Sequence, residues 1–441
     1  MIARFTRRAG ARTLKVRAAP LALLAALACA GDEPPPAALA TDVVRRDSSG
    51  IEIVEVSAAG FAALPVWRLT SEPVLTIGEL DGEAPYLFGR IADAVRLSDG
   101  TIAVADGYGE TGSGELRFFD AQGTFIGAAG RTGRGPGEFT LPQVVERVAG
   151  DSIAVWDRVQ QKVSLLAPDG KPLREWLTAA CPGRAQPDGS APCYYPVGFL
   201  DDATLIMATS GPIYAEGGQT GPKYGQPVTI GQVRERAWTP LGTLLQGDQF
   251  WAEFQGERYR AVRPYSRLYG GRPYWAANGG FAVFARNDSS DIRMAGIDGR
   301  LVRIVRWAAE PRPVGPEDIA QYRDHDWGEE RATAEAWLDG LEPGAVVPLF
   351  GELRLDEAGR LWVQDYYPYR ITPGDQPRWW TVLEPDGAPL ARIQLPGADA
   401  VTIYQLDDAA MLGRHVDSLS IQRIVVYGIE RSGGRSRSMR R

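Results

Sequence analysis

Seven polar residues fall where they could act together. Asp106, Asp157 and Asp365 each close a short apolar run, and Arg286, Asn287, Arg414 and His415 follow two further runs at the matching place. Carboxylates, guanidinium groups, an amide and an imidazole gathered around one opening would hold a small polar ligand. They could also hold a hydrated cation, for which oxygen ligands favour calcium over zinc. An organic anion would draw instead on Arg286, Arg414 and the arginines of the Arg131–Glu138 loop, whose forked donors suit carboxylate or phosphate. The competing reading is structural, since aspartates at strand ends habitually cap turns through their own backbone. A zinc centre lacks companions: His325 and His415 are the only histidines in the chain. His325 and Glu329 would share a helical face as metal ligands can, but the acidic segment around them reads as a solvated helix. The glycines of Gly130–Gly137 lack the Gly-Lys-Ser/Thr ending of a phosphate loop, and no Gly-x-Ser-x-Gly elbow is present.

The runs that carry these residues repeat. Ser98–Asp106 recurs as Ala149–Asp157, displaced by 51 residues, and the same displacement relates Gly82, Pro85 and Phe88 to Gly133, Pro136 and Phe139. Glu357–Asp365 is a third copy; Asn278–Ala285 and Asp201–Met207 are weaker ones. A second signature, ending in Gly123, Gly170, Gly299 and Gly387, follows four of the runs. Short strands with turns every 8–12 residues indicate all-β structure, and a four-strand unit of about 40–50 residues indicates propeller blades. Fifty-one glycines in 441 residues agree with so many turns. The expected fold is a six-bladed β-propeller of four-stranded blades over 51–430. Its units lie near 90–130, 141–178, 194–250, 273–307, 350–395 and 401–429. The last has only three strands, so a strand at Val74–Gly78 should complete it and close the ring. Gly315–Gly340 should be a short helical insertion before the fifth blade.

Gly130–Phe139 followed by Leu141-Pro142 and Ile153–Asp157 resembles an NHL-type repeat. With Arg46–Glu55 behind its leader, the chain is similar to bacterial six-bladed β-propeller lipoproteins. That resemblance implies a propeller in the cell envelope; it implies no reaction, because such folds serve binders, lactonases and lyases alike. Residues 1–28 have the basic, apolar, small-residue order of a signal peptide, and Cys29 after Ala28 resembles a lipobox cysteine, with Ala26 where leucine is usual. Residues 29–50 are expected to be a flexible tether, and 431–441 a disordered basic tail. In an exported protein, Cys181 and Cys193 are expected to pair as a disulfide around a Pro/Gly-rich loop.

The net charge of −7 understates the acidity of the body, since basic residues concentrate at both ends. Such a surface disfavours nucleic acid. The expected protein is a non-catalytic binder or scaffold of the cell envelope, facing the periplasm or the outer surface. A lipid anchor is its link to the membrane. Its partner would be a protein, peptide or small polar ligand. The runner-up is a calcium-dependent hydrolase or lactonase, which needs only carboxylates and an amide on a channel.

Overall fold

The computed structural model describes residues 43–57, 60–61, 63–107, 114–178, 193–210, 220–255, 260–307, 311–368 and 370–431. Cys29, Cys181, residues 1–28 and the tail from 432 lie outside them, as does most of the expected tether.

The second strands explain the architecture best. Ile102–Asp106 and Ile153–Asp157 are buried at every position, which a strand reaches only when both faces of its sheet are covered. Alternate side chains then serve different cores. Ala103 and Ala105 pack with Ile153 and Val155 between the first and second sheets. Ile102 and Val104 pack on the other side with Ile424 and Val426; Ala154 and Trp156 pack with Phe199 and Leu205. Further cores join the third sheet to the fourth, the fourth to the fifth and the fifth to the last. Apolar material thus lies between sheets rather than in one central mass. This is a β-propeller.

Each sheet begins on an inner strand: Ile91–Arg96, Pro142–Arg147, Cys193–Phe199, Pro273–Asn278, Leu353–Leu355 and Val401–Leu406. These are neighbours in chain order, and Val401–Leu406 returns to Ile91–Arg96. The first sheet shows the local rules. Its strands Ile91–Arg96, Ile102–Asp106, Glu115–Phe119 and Phe125–Gly130 are antiparallel neighbours in chain order. Asp120 accepts the Gln122 and Thr124 N–H groups at 2.9 and 2.8 Å while Gly123 turns at φ 84°. That left-handed backbone suits glycine.

The N-terminal segment forms a belt on outer edges. Ile51–Val56 runs parallel to Leu301–Trp307 on the fourth sheet, and Val66–Leu69 parallel to Pro389–Leu395 on the fifth. Leu75–Ile77 runs antiparallel to Gln422–Glu430 on the last. Covering these edges removes exposed rows of unpaired backbone donors and acceptors. Val43–Ser48, expected within the tether, instead pairs with Ile51–Val56, because Ser49-Gly50 makes a tight turn with both residues at positive φ.

The third unit also differs from expectation. Its sheet ends at Ala237–Leu245, and Gly221–Lys223, Gln249–Gln255 and Arg260–Ser266 form a separate three-stranded sheet. The helices Pro316–Asp324 and Arg331–Gly340 sit between the fourth and fifth sheets in sequence. Tyr322, Trp327, Ala334 and Trp337 pack with Tyr265 of the extra sheet and Leu268 just after it in a core of their own. The first helix stops at His325, whose ψ is 142°, so His325 and Glu329 do not share one helical face.

Candidate functional site

The strand-end residues turn inward to the backbone. Asp106 is fully buried, accepts the Gly89 and Arg90 N–H groups at 3.3 and 2.8 Å and pairs with Arg117 at 3.1 Å. Asp157, also fully buried, accepts those of Thr140, Leu141, Val159 and Gln160 at 2.6–2.9 Å. Asn287 accepts from Arg272 N at 2.8 Å and donates to the Phe350 carbonyl at 3.0 Å. In all three the side chain ending a second strand clasps the chain entering that sheet's inner strand. These donors would otherwise be buried without a partner, a costly state. Clasping is their role, and the expected ring of free ligands does not form from them.

The other expected residues disperse. Asp365 pairs with Arg392, and burial raises its carboxyl above the usual range. Arg286 forks onto Asp288 at 2.7 and 3.0 Å. Arg414 donates to the Ile91 carbonyl at 2.9 Å. His415 lies near the end of Ala410–Val416, in register with Val401 and Arg423. Arg131 pairs with Glu138 at 2.6 Å. None of these lines the central cavity.

That cavity, about 370 Å³, is walled by all six inner strands. Bulges in four of them, at Ile91/Asp93, Pro142/Val144, Pro196/Gly198 and Ile403/Gln405, interrupt the alternation of faces, two of them beside Asp93 and Gln405. Asp93 accepts the Val145 N–H at 2.8 Å, Glu146 the Phe199 N–H at 2.9 Å, and Gln405 the Arg96 N–H at 2.7 Å. Each cavity residue therefore links its own sheet to the following one, with Gln405 spanning the return from last to first. At Gly198 the third and fourth sheets approach so closely that a Cβ would lie 2.2 Å from the Ala277 carbonyl oxygen.

Loss of hydration pushes the Asp93 carboxyl up to about 7, against the lowering effect of its two backbone donors and Arg354. The same cause pushes Glu146 up to about 8, and the nearby Asp93 charge adds to it. Two carboxyls that share one low-dielectric space resist ionising together. At the end formed by the first-to-second-strand turns, Arg147 pairs with Glu357, which also accepts from Gln405 Nε2 at 2.7 Å. This joins the second, fifth and last sheets across the cavity.

At the other end Glu352 is shared with a second cavity of about 210 Å³. Tyr269, Tyr274, Tyr322, Tyr366 and Tyr367 line it, with Arg272 and Gln364. Sequence reasoning expected a polar site on a channel but missed the residues that line either cavity, apart from Asn287 at the second. Among the described residues no three His, Cys, Asp or Glu side chains converge as a metal centre.

No protein-family model matches the chain. No curated protein is similar to it at a significant level. Among solved structures, it is similar to a member of the DUF4221 family from Bacteroides vulgatus, at 11% identity and TM-score 0.45, covering 83% of this chain and 99% of that one. A calcium-binding protein, regucalcin, from Agrobacterium tumefaciens aligns at 13% identity and TM-score 0.31, covering 82% and 96%. A β-propeller domain from Myceliophteria thermophila aligns at 9% and 0.35, covering 81% and 98%.

Proposed function

We propose that the chain is an exported, lipid-anchored, six-bladed β-propeller of the cell envelope that binds a small polar ligand at its central cavity. The observation that carries the binding reading is that one polar cavity of about 370 Å³ is walled by six inner strands. The six-blade count is supported by those walls, and the ring closure by Leu75–Ile77 lying beside Gln422–Glu430 as a fourth strand. Export and the anchor rest on the basic and apolar leader before Cys29, and the Cys181–Cys193 bond on the oxidising compartment that export implies.

The cavity offers carboxyls, amides and carbonyls already oriented by bonds to neighbouring strands, which lowers the cost of ordering them around a ligand. Thermal-shift measurement on the mature protein against small polar compounds should find stabilisation that Gln405→Ala and Glu146→Ala reduce. A ligand indifferent to both substitutions would place binding elsewhere.

The hydrolase reading has one specific support, the presence of Asp93 and Glu146 in the same cavity. Calcium would have to displace their protons, so its affinity should rise between about pH 6 and pH 9. Lactone turnover abolished by EDTA would favour this reading over the binder. Intact-mass analysis tests the anchor: loss of residues 1–28 with an added lipid mass is expected.

A further inference from the structure

Beside the central cavity, residues near 269–274, at 322 and near 366, far apart in the chain, build a second one. The extra sheet's end supplies Tyr269, the fourth sheet's inner strand Tyr274, the first helix Tyr322, and the segment after Leu361–Gln364 supplies Tyr366. Tyr269 stands 6.1 Å from Tyr366 at 50° and 5.9 Å from Tyr322 at 84°. These rings make walls rather than a stack. The Tyr274 and Tyr366 hydroxyls and the Gln364 amide make no hydrogen bond to any described residue. All three can donate and accept.

The charges nearly balance. Arg272 and Glu352 bring one of each sign, Glu352 also pairing with Arg354 at 2.9 Å, while the Arg267 guanidinium is answered by Asp248 at 3.1 Å. Burial raises the Tyr269 hydroxyl to about 12 and raises Tyr274 and Tyr366 as well, so the phenols stay neutral and keep both hydrogen-bonding roles. The frame is stiffened from behind. Glu330 binds Arg263 at 2.6 Å, the Tyr265 hydroxyl at 3.1 Å and Arg370, joining the helices to the extra sheet and to the fifth sheet's loop.

We infer that this tyrosine-walled cavity binds the ring of a neutral saccharide, with its C–H faces against the phenol rings and its hydroxyls on Tyr274, Tyr366 and Gln364. A sugar ring alternates apolar faces with a polar rim, which matches aromatic walls carrying unpartnered donors and acceptors. A charged ligand would meet an opposing charge within the same walls, and a purely apolar one would strip water from three polar groups without replacing it. The inference goes beyond the binding reading above: it assigns a second site, joined to the central cavity at Glu352, with a ligand class of its own.

Saturation-transfer NMR on the mature full chain tests it, with neutral hexoses, N-acetylhexosamines and their disaccharides, and with p-nitrophenol as an aromatic control. At least one saccharide should give transfer. Its affinity should fall roughly fivefold to tenfold in Tyr274→Phe and in Gln364→Ala, each removing one hydrogen bond. Tyr366→Ala should abolish it. Should Tyr366→Ala fail to fold, the other two variants carry the test, because they leave the ring walls in place. The inference falls if no saccharide in the panel gives transfer, or if p-nitrophenol binds and the sugars do not. It also falls if sugar binding survives Tyr274→Phe and Gln364→Ala but is lost in Gln405→Ala. That last result would leave the central-cavity reading standing.

Discussion

In the first two sheets, Asp106 and Asp157 sit at the same point of the repeat and do the same work, clasping the backbone that enters their own sheet. Asn287 clasps likewise in the fourth sheet, yet the space beside it is a tyrosine-lined cavity. The difference lies in what the chain adds. Nothing is inserted between the first and second sheets, whereas an extra sheet and two helices rise around the fourth and fifth. Regular repeats here use the polar side chains at their second-strand ends to clasp backbone. Open, partly unsatisfied polar groups occur where an insertion breaks the repeat.

The largest test of that contrast is Asp157→Ala. It removes the acceptor for four backbone N–H groups in the regular half and should cost about 4 kcal/mol, read as a lowered urea midpoint. Loss should be global, because the second sheet supports cores on both sides. Trp337→Ala should cost about 3 kcal/mol, but locally. Trp337 is 1% exposed, packs on Tyr265 at 5.2 Å and donates to the Ser266 carbonyl at 3.1 Å. Hydrogen exchange should rise over residues 316–340 and 249–266 and stay low in Ile102–Asp106. Exchange rising equally everywhere would mean that the insertion and the ring are one cooperative unit.

A smaller effect separates the central cavity from both regions. Asp93 and Glu146 titrate near 7 and 8 when folded, against about 4 in an unfolded chain. The folded state therefore binds more protons, and stability falls as pH rises from about 4 through 8. Glu146→Gln keeps an acceptor for Phe199 N–H and cannot ionise. It should raise Tm at pH 8.5 by on the order of 2 °C and leave it nearly unchanged at pH 5. Smallest of all is Arg131→Ala in the loop between the first two sheets. Its pair with Glu138 leaves the Arg131 side chain 80% exposed, so the loss should stay below about 0.5 kcal/mol. A larger loss would show that this loop is more than a connection.

The sequence by itself determined the repeating units. The continuous apolar runs of Ile102–Asp106 and Ile153–Asp157, each closed by an aspartate, the Asp-Gly turns and the 51-residue displacement are local patterns, and local backbone preferences enforce them. It also pointed to a strand at Val74–Gly78, where Leu75–Ile77 pairs with Gln422–Glu430. Tertiary structure alone decided which polar groups face a cavity. Asp93 and Gln405 stand at bulges that interrupt the period-two rule, and Glu146 accepts its bond from a sheet more than fifty residues away. Tyr269, Tyr274, Tyr322 and Tyr366 share no spacing; the packing of the insertion against the fourth and fifth sheets brings them together. The edges taken by Ile51–Val56 and Val66–Leu69 were equally illegible, since any uncovered outer strand offers the same row of donors and acceptors. Strand periodicity records which faces are buried, but the neighbour that buries them is set by long-range contacts that no short stretch of chain encodes.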